Sequence, residues 1–210
     1  MIISSGSVIE KVSVISSHLI SGSGMFTNSV WEGPPGKTLR AVGSVCFHPD
    51  TLVKKYKPEL IYFVVDTFLA MNDRQMAELS EIYQSFKFPF WMNTRPETIS
   101  EWRADELDKM NCLRINMGIE HGNEKFRRDV LLRPVSNKVI LEAFRSCVGR
   151  KFVTVANSII GYPDETRELV FDSIEINRQL PREIETSGTF IFTPYMGTAL
   201  RELALQKGYI

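Results

Sequence analysis

Arg114-Ile115-Asn116-Met117-Gly118-Ile119-Glu120-His121-Gly122 is the stretch on which the reading of this 210-residue chain turns. Leu113, Ile115 and Met117 alternate with polar neighbours, the two-residue period of a half-buried strand. Gly118 and Gly122 permit close backbone approach or conformations that a side chain would obstruct. In α/β proteins ligands are held where strands end and the following turns begin. Glu120 stands at such a place and is the first candidate site residue; its plain alternative is a cap for the short helix that follows.

Outward from this stretch, the chain alternates strands and helices. Val12–Ile15, Leu60–Val65, Phe88–Met92, Leu113–Met117, Phe152–Ile160 and Thr186–Phe192 read as six strands. A short helix is expected over Asp50–Tyr56. Asn72 with Gln75 has the capping-box pattern and opens a helix with Met76, Leu79, Ile82, Tyr83 and Phe86 on its apolar face. Another helix spans about Ser100–Met110. Asn123 and Ser136 cap two more, the second striped by Val139, Ile140, Ala143, Phe144 and Cys147. Leu169, Val170, Ser173, Ile174 and Asn177 are expected to share one face of the next, and a final helix runs through Gln206. Between Ser16 and Lys37 the Gly, Ser and Pro content predicts a long irregular loop. Trp91 and Trp102 read as core or helix-packing residues. This alternation predicts an α/β fold of parallel strands with right-handed crossovers. Six units are too few for a closed eight-stranded barrel, leaving an open sheet or a partial barrel.

Composition sets bounds. With 43% apolar residues the chain can bury a substantial core. Its 25 Lys and Arg balance 25 Asp and Glu, so there is no basic footprint for nucleic acid or an anionic membrane. No apolar run is long enough to span a bilayer, and no leader pattern opens the chain. A cytoplasmic location is therefore expected; oligomeric state is not specified. Cys46, Cys112 and Cys147 are too far apart for a short-spaced zinc or iron–sulfur motif and read as reduced thiols, the last two in the core. No metal ligands are assigned. His18, His48 and His121 read as polar surface or turn residues.

The strand-end residues form a series: Asp66, Asn93 with Arg95, Glu120, Arg133, Gly161 with Pro163 and Glu165, then Pro194 with Gly197. In Phe63–Phe68, Trp91–Arg95, Met117–Gly122, Leu132–Ser136, Ile160–Thr166 and Phe192–Thr198 this order and spacing resembles the radical S-adenosylmethionine (SAM) superfamily. The branch with cobalamin-dependent enzymes and methylthiotransferases is the most similar. The similarity covers about residues 38–208. It implies a partial (β/α)6 TIM-like barrel of parallel strands, with SAM bound across the strand ends. It also implies cofactor-binding roles for Asp66, Asn93, Arg95, Glu120, Arg133, Gly161 and Pro163. A carboxylate such as Glu120 suits ribose hydroxyls. A guanidinium from Arg133 or Arg95 suits the methionyl carboxylate. The Ile160-Gly161-Tyr162-Pro163 turn suits adenine.

One motif departs from the family. Radical SAM enzymes carry CxxxCxxC in the loop after the first strand, where three thiolates hold a [4Fe-4S] cluster. Laying that pattern on this chain puts Ile20, Gly24 and Thr27 at the cysteine positions, and none of these is a cluster ligand. The first acid of the usual Asp-Asp pair is Val65. The [4Fe-4S] cluster is thus expected for the family and unsupported by this sequence. Residues 1–37 are expected to form a first strand and a degenerate cluster loop, and 38–210 the partial barrel, within one structural domain. The functional expectation is a radical-SAM-fold protein that binds SAM without cysteines for its own cluster. The alternatives are a non-catalytic scaffold or interaction protein, a fragment or altered form of a competent enzyme, and an unrelated barrel using Glu120 and Asp66 as an acid/base pair. Catalytic residues are not assigned.

Overall fold

The computed structural model describes residues 12–16, 30–32, 38–40, 59–85 and 87–210. Six strands share one sheet in chain order: β1 (Val12–Ser16), β4 (Leu60–Val64), β5 (Phe90–Thr94), β6 (Cys112–Glu120), β7 (Val153–Ile160) and β8 (Glu185–Ile191). β1 with β4, β4 with β5, and β7 with β8 pair in parallel. Among the described residues β1 and β8 remain the two ends, so the sheet is open. The expected α/β class and six strands are both present. The long-loop expectation is corrected at one place: β2 (Val30–Glu32) and β3 (Thr38–Arg40) form an antiparallel pair. Val30, Trp31 and Thr38 have the β-branched and aromatic character that favours strand, and the Gly and Pro residues lie between the two strands. The expected helix over 50–56, the cluster-loop positions Ile20, Gly24 and Thr27, and His18, Cys46, His48 and Phe86 lie outside the described residues.

The chain divides into two compact units. The first gathers the described residues up to Thr94 with Trp102–Ile115 and Arg150–Phe152. It holds α1 (Asp73–Tyr83) and α2 (Glu101–Lys109, from Trp102 on). Ile61 and Phe63 of β4, Phe90 and Met92 of β5, and Met76 and Tyr83 of α1 are buried. Full burial of side chains this size contributes about 1.5–3 kcal/mol each. Asn72 and Gln75 form the expected reciprocal capping box. Arg103 on α2 donates to the carbonyls of Leu69 and Met71 and to Asp73, which ties down the turn after β4. Trp102 is more exposed than expected, because the inner face of α2 is taken by Ala104, Glu106 and Leu107.

The second unit comprises Arg95–Glu101, Asn116–Gly149 and Val153–Ile210. It contains α3 (Glu124–Asp129), α4 (Asn137–Ser146), α5 (Arg167–Arg178) and α6 (Ala199–Gln206). Asn123, Ser136, Thr166 and Thr198 each accept from a first-turn amide. Such caps are worth roughly 0.5–2 kcal/mol apiece. Two helix faces differ from expectation. Val139 of α4 is exposed and Leu141 is buried in its place. On α5 Ile174 is 49% exposed, while Ile176 and Leu180 are buried with Ser173. Polar contacts set that rotation: Ser173 Oγ accepts from Gly122 N–H at 2.9 Å, and Asn177 donates to Ser158 Oγ at 3.0 Å.

Candidate functional site

The strand-end residues fall in both units. In the first, Asp66 is exposed in the turn after β4. Asn93, near the end of β5, donates to Tyr62 Oη at 3.0 Å, and its carbonyl accepts from Phe68 N–H at 2.9 Å. Asn93 therefore braces its own turn. The other five candidates, Arg95, Glu120, Arg133, Gly161 and Pro163, belong to the second unit.

Within that unit Glu120 is the centre. Its backbone is left-handed, with φ 65°, a conformation unusual for a residue with a side chain. The turn folds the carboxylate back over the strand: a Cβ on Gly118 would lie 2.1 Å from Glu120 Oε1. Gly118 thus makes room for the carboxylate two residues on. Arg133 holds it there, one Nη donating both to Glu120 Oε1 at 3.2 Å and to Gly118 O at 2.9 Å. The other Nη pairs with Glu97 Oε2 at 2.9 Å. Burial raises the Glu120 pKa, against the opposing pull of the Arg133 and Arg95 charges. Arg95 itself is exposed, with no side-chain hydrogen bond among the described residues. The helix cap after this turn is Asn123, so Glu120 is not spent on capping.

His121 corrects the surface-or-turn expectation. It sits in the turn, but the side chain is 0% exposed. Ile115, Met117 and Ile119 are all fully buried, and His121 carries that alternation one step further. Its Nδ1 accepts from Asn123 N–H at 2.9 Å, which places the proton of the neutral ring on Nε2. Nε2 lies 3.0 Å from Oε1 of Glu165, whose side chain is only 3% exposed. The other Glu165 oxygen accepts from Gly161 N–H. The contact therefore brings the Gly161 turn beside the Glu120 turn, although Nε2 and Oε1 do not meet hydrogen-bond geometry. Phe126 lies over the imidazole with centroids 4.4 Å apart.

Burial holds the His121 pKa below its ordinary 6.5, outweighing Glu165, which pulls it up; Arg127 lowers it further and Asp172 raises it. Folding then favours the neutral ring. The stability it contributes is complete above about pH 6.5 and is lost as pH falls through the window below that value. NMR titration should give a midpoint for this histidine below about 6.5, and wild-type unfolding free energy should fall there more steeply than that of His121→Gln. A midpoint at or above that value would contradict this assignment.

Gly161 and Pro163 line a cleft of about 180 Å³ with Tyr162, Phe192, Pro194, Ala204, Tyr209 and Ile210. Gly161 has φ 83°, which a glycine adopts without strain. Tyr162 is buried against Phe192, with ring centroids 5.0 Å apart. Its hydroxyl pKa is raised, first by burial and then by the charges of Glu120 and Glu165. The cleft thus lies within the electrostatic reach of Glu120. Sequence reasoning singled out Gly161, Pro163, Glu120, Arg133 and Glu165 but not Glu97, the meeting of Glu165 with His121, or Tyr209.

Residues 50–175, more than half of the chain, match the family described as the radical SAM superfamily. An uncharacterized methyltransferase of Pyrococcus horikoshii is 28% identical over 158 residues, covering 74% of this chain and 34% of the relative. The cobalamin- and [4Fe-4S]-bound radical SAM methyltransferase TsrM of Kitasatospora setae superimposes with TM-score 0.57 at 18% identity, over 70% of this chain and 30% of that one. The radical SAM coproporphyrinogen III oxidase of Escherichia coli gives TM-score 0.57 at 16% identity, over 70% and 35%. The chain spans about a third of the length of these relatives. Among the described residues no helix is long and apolar enough to cross a membrane. A family match over more than half of the chain, which includes the Glu120 carboxylate turned back over Gly118 and four of the six strands of the open sheet, places this chain in the radical SAM superfamily.

Proposed function

We propose that this chain is a SAM-binding module of the radical SAM fold that does not supply three thiolates for a [4Fe-4S] cluster. The observation that carries the reading is Glu120, folded over Gly118 by Arg133 and within electrostatic reach of an aromatic cleft. An ionised carboxylate accepts hydrogen bonds from both hydroxyls of a ribose, and charge-assisted bonds of this kind are roughly twice as strong as neutral ones. Gly161, Tyr162 and Pro163 offer an apolar slot with main-chain polar groups for adenine. Arg133 is already engaged by Glu97 and Glu120, so exposed Arg95 is the guanidinium for the methionyl carboxylate.

In the family, the cluster supplies the electron that cleaves SAM. The residues of this chain do not fit it. Of its three cysteines, Cys112 and Cys147 are buried, each with its Sγ directed at a main-chain carbonyl of its own segment. Cys46 alone would give one thiolate where the motif needs three. Among the described residues no group of three His, Cys, Asp or Glu side chains forms a metal site.

Anaerobic incubation with iron and sulfide tests this reading. The expected result is no broad absorbance band near roughly 400 nm beyond that of a Cys46→Ala control. A band with about four irons and four sulfides per chain would show that these thiols do build a cluster.

A further inference from the structure

The cleft beside Gly161 has a wall that none of the family motifs contains. After α6 the chain reverses at Gly208, φ 71°, with Tyr209 N–H donating to Ala204 O at 2.9 Å and Gly208 N–H to Leu205 O at 3.1 Å. This is the paired bonding of a glycine helix stop, which fixes the direction of the next residues. It brings Tyr209 and Ile210 to the cleft. Asp164 then holds them: its carboxylate accepts from Tyr209 Oη at 3.1 Å and from Lys207 Nζ. Asp164 is itself left-handed, φ 63°, a conformation that Asp tolerates better than most side chains. Lys207, more than Tyr209, holds the Asp164 carboxyl below the usual carboxylate range. Tyr209 remains 58% exposed although it lines the cleft. A large ring fixed at both ends and left wet is suited to a planar ligand.

We propose that Tyr209, tethered to Asp164, is the outer wall of this cleft and packs on the heterocyclic base of the bound nucleoside. The inference rests on the SAM reading above and adds a residue and a contact to it. Tyr162 and Phe192 pack on each other in the lining, which Pro163, Pro194 and Tyr209 share. Aromatic stacking on a base is indifferent to the rest of the ligand, so the effect of Tyr209 is the same for any ligand carrying the same base.

The test is calorimetric titration of the whole chain with SAM and with 5′-methylthioadenosine, which keeps the nucleoside and lacks the amino-acid arm. Tyr209→Ala should weaken both ligands by roughly tenfold or more, the effect of losing one stacked base contact. Tyr209→Phe keeps the ring and should stay within about threefold, with Asp164→Asn in between. Because Tyr209 is exposed, its variants should melt with the wild type, which separates lost binding from lost folding. If Tyr209→Ala binds both ligands as wild type while Glu120→Ala binds neither, the wall is wrong and the SAM site stands. If wild type binds neither ligand, the SAM reading fails and takes the wall with it.

Discussion

Replacing Arg127 by alanine should cost about 3–5 kcal/mol of stability, enough to consume much of the roughly 5–15 kcal/mol that holds a typical domain folded. Arg127 is fully buried. Its guanidinium donates to His121 O, to Val135 O at 2.6 and 3.1 Å, and to Asn137 Oδ1 at 2.8 Å. Its own carbonyl accepts from Arg133 N–H at 2.9 Å. One side chain therefore closes the loop between α3 and α4 onto the turn after β6, with Arg133 in position to meet Glu120. Alanine leaves the acceptors at His121 and Val135 without their guanidinium partner, and each such loss costs about 1–3 kcal/mol where water cannot enter. Lysine should rescue only partly, because one ammonium lacks the planar fork that serves separated acceptors. Denaturant unfolding monitored by circular dichroism measures both variants; a loss below about 1 kcal/mol for Arg127→Ala would contradict this account of the clamp.

Glu120→Ala should have the opposite profile, with little effect on folding and a large effect on binding. The side chain is partly exposed and is not a helix cap, so its removal opens no cavity in the core. Ligand affinity is another matter. A carboxylate accepting from ribose hydroxyls contributes about 1.5–3 kcal/mol, so SAM affinity should fall by roughly ten- to more than hundredfold. Glu120→Gln should fall between the two, because an amide oxygen accepts but carries no charge. The variant also frees Arg133, leaving its guanidinium with Glu97 and Gly118 O. Equilibrium dialysis with labelled SAM, alongside a melting curve, reads both effects. A Glu120→Ala chain that binds as wild type would remove this carboxylate from the site.

Much of this was legible in the chain because strong local signals and tertiary contacts agree. The capping pairs at Asn72, Asn123 and Ser136 are local devices, and the structure uses each as the sequence implies. The alternation through β6 delivers Glu120 to the strand end. What local pattern does not encode is rotation and partnership. Ile174 and Ile176 of α5 are equally apolar, and the choice between them falls to Ser173 and Asn177, whose partners lie 51 and 19 residues away. The burial of His121 depends on Glu165, 44 positions later, and on Phe126 over its ring. The use of Gly118 was legible only as small size; that the space belongs to the Glu120 carboxylate follows from the left-handed turn.

The measurement that bears most directly on the central claim is calorimetric titration of SAM into wild-type chain prepared without iron or sulfide. The account predicts saturable one-to-one binding in the micromolar range that a chelator does not change. No binding at millimolar SAM, or binding that emerges only after iron and sulfide are supplied, would contradict it.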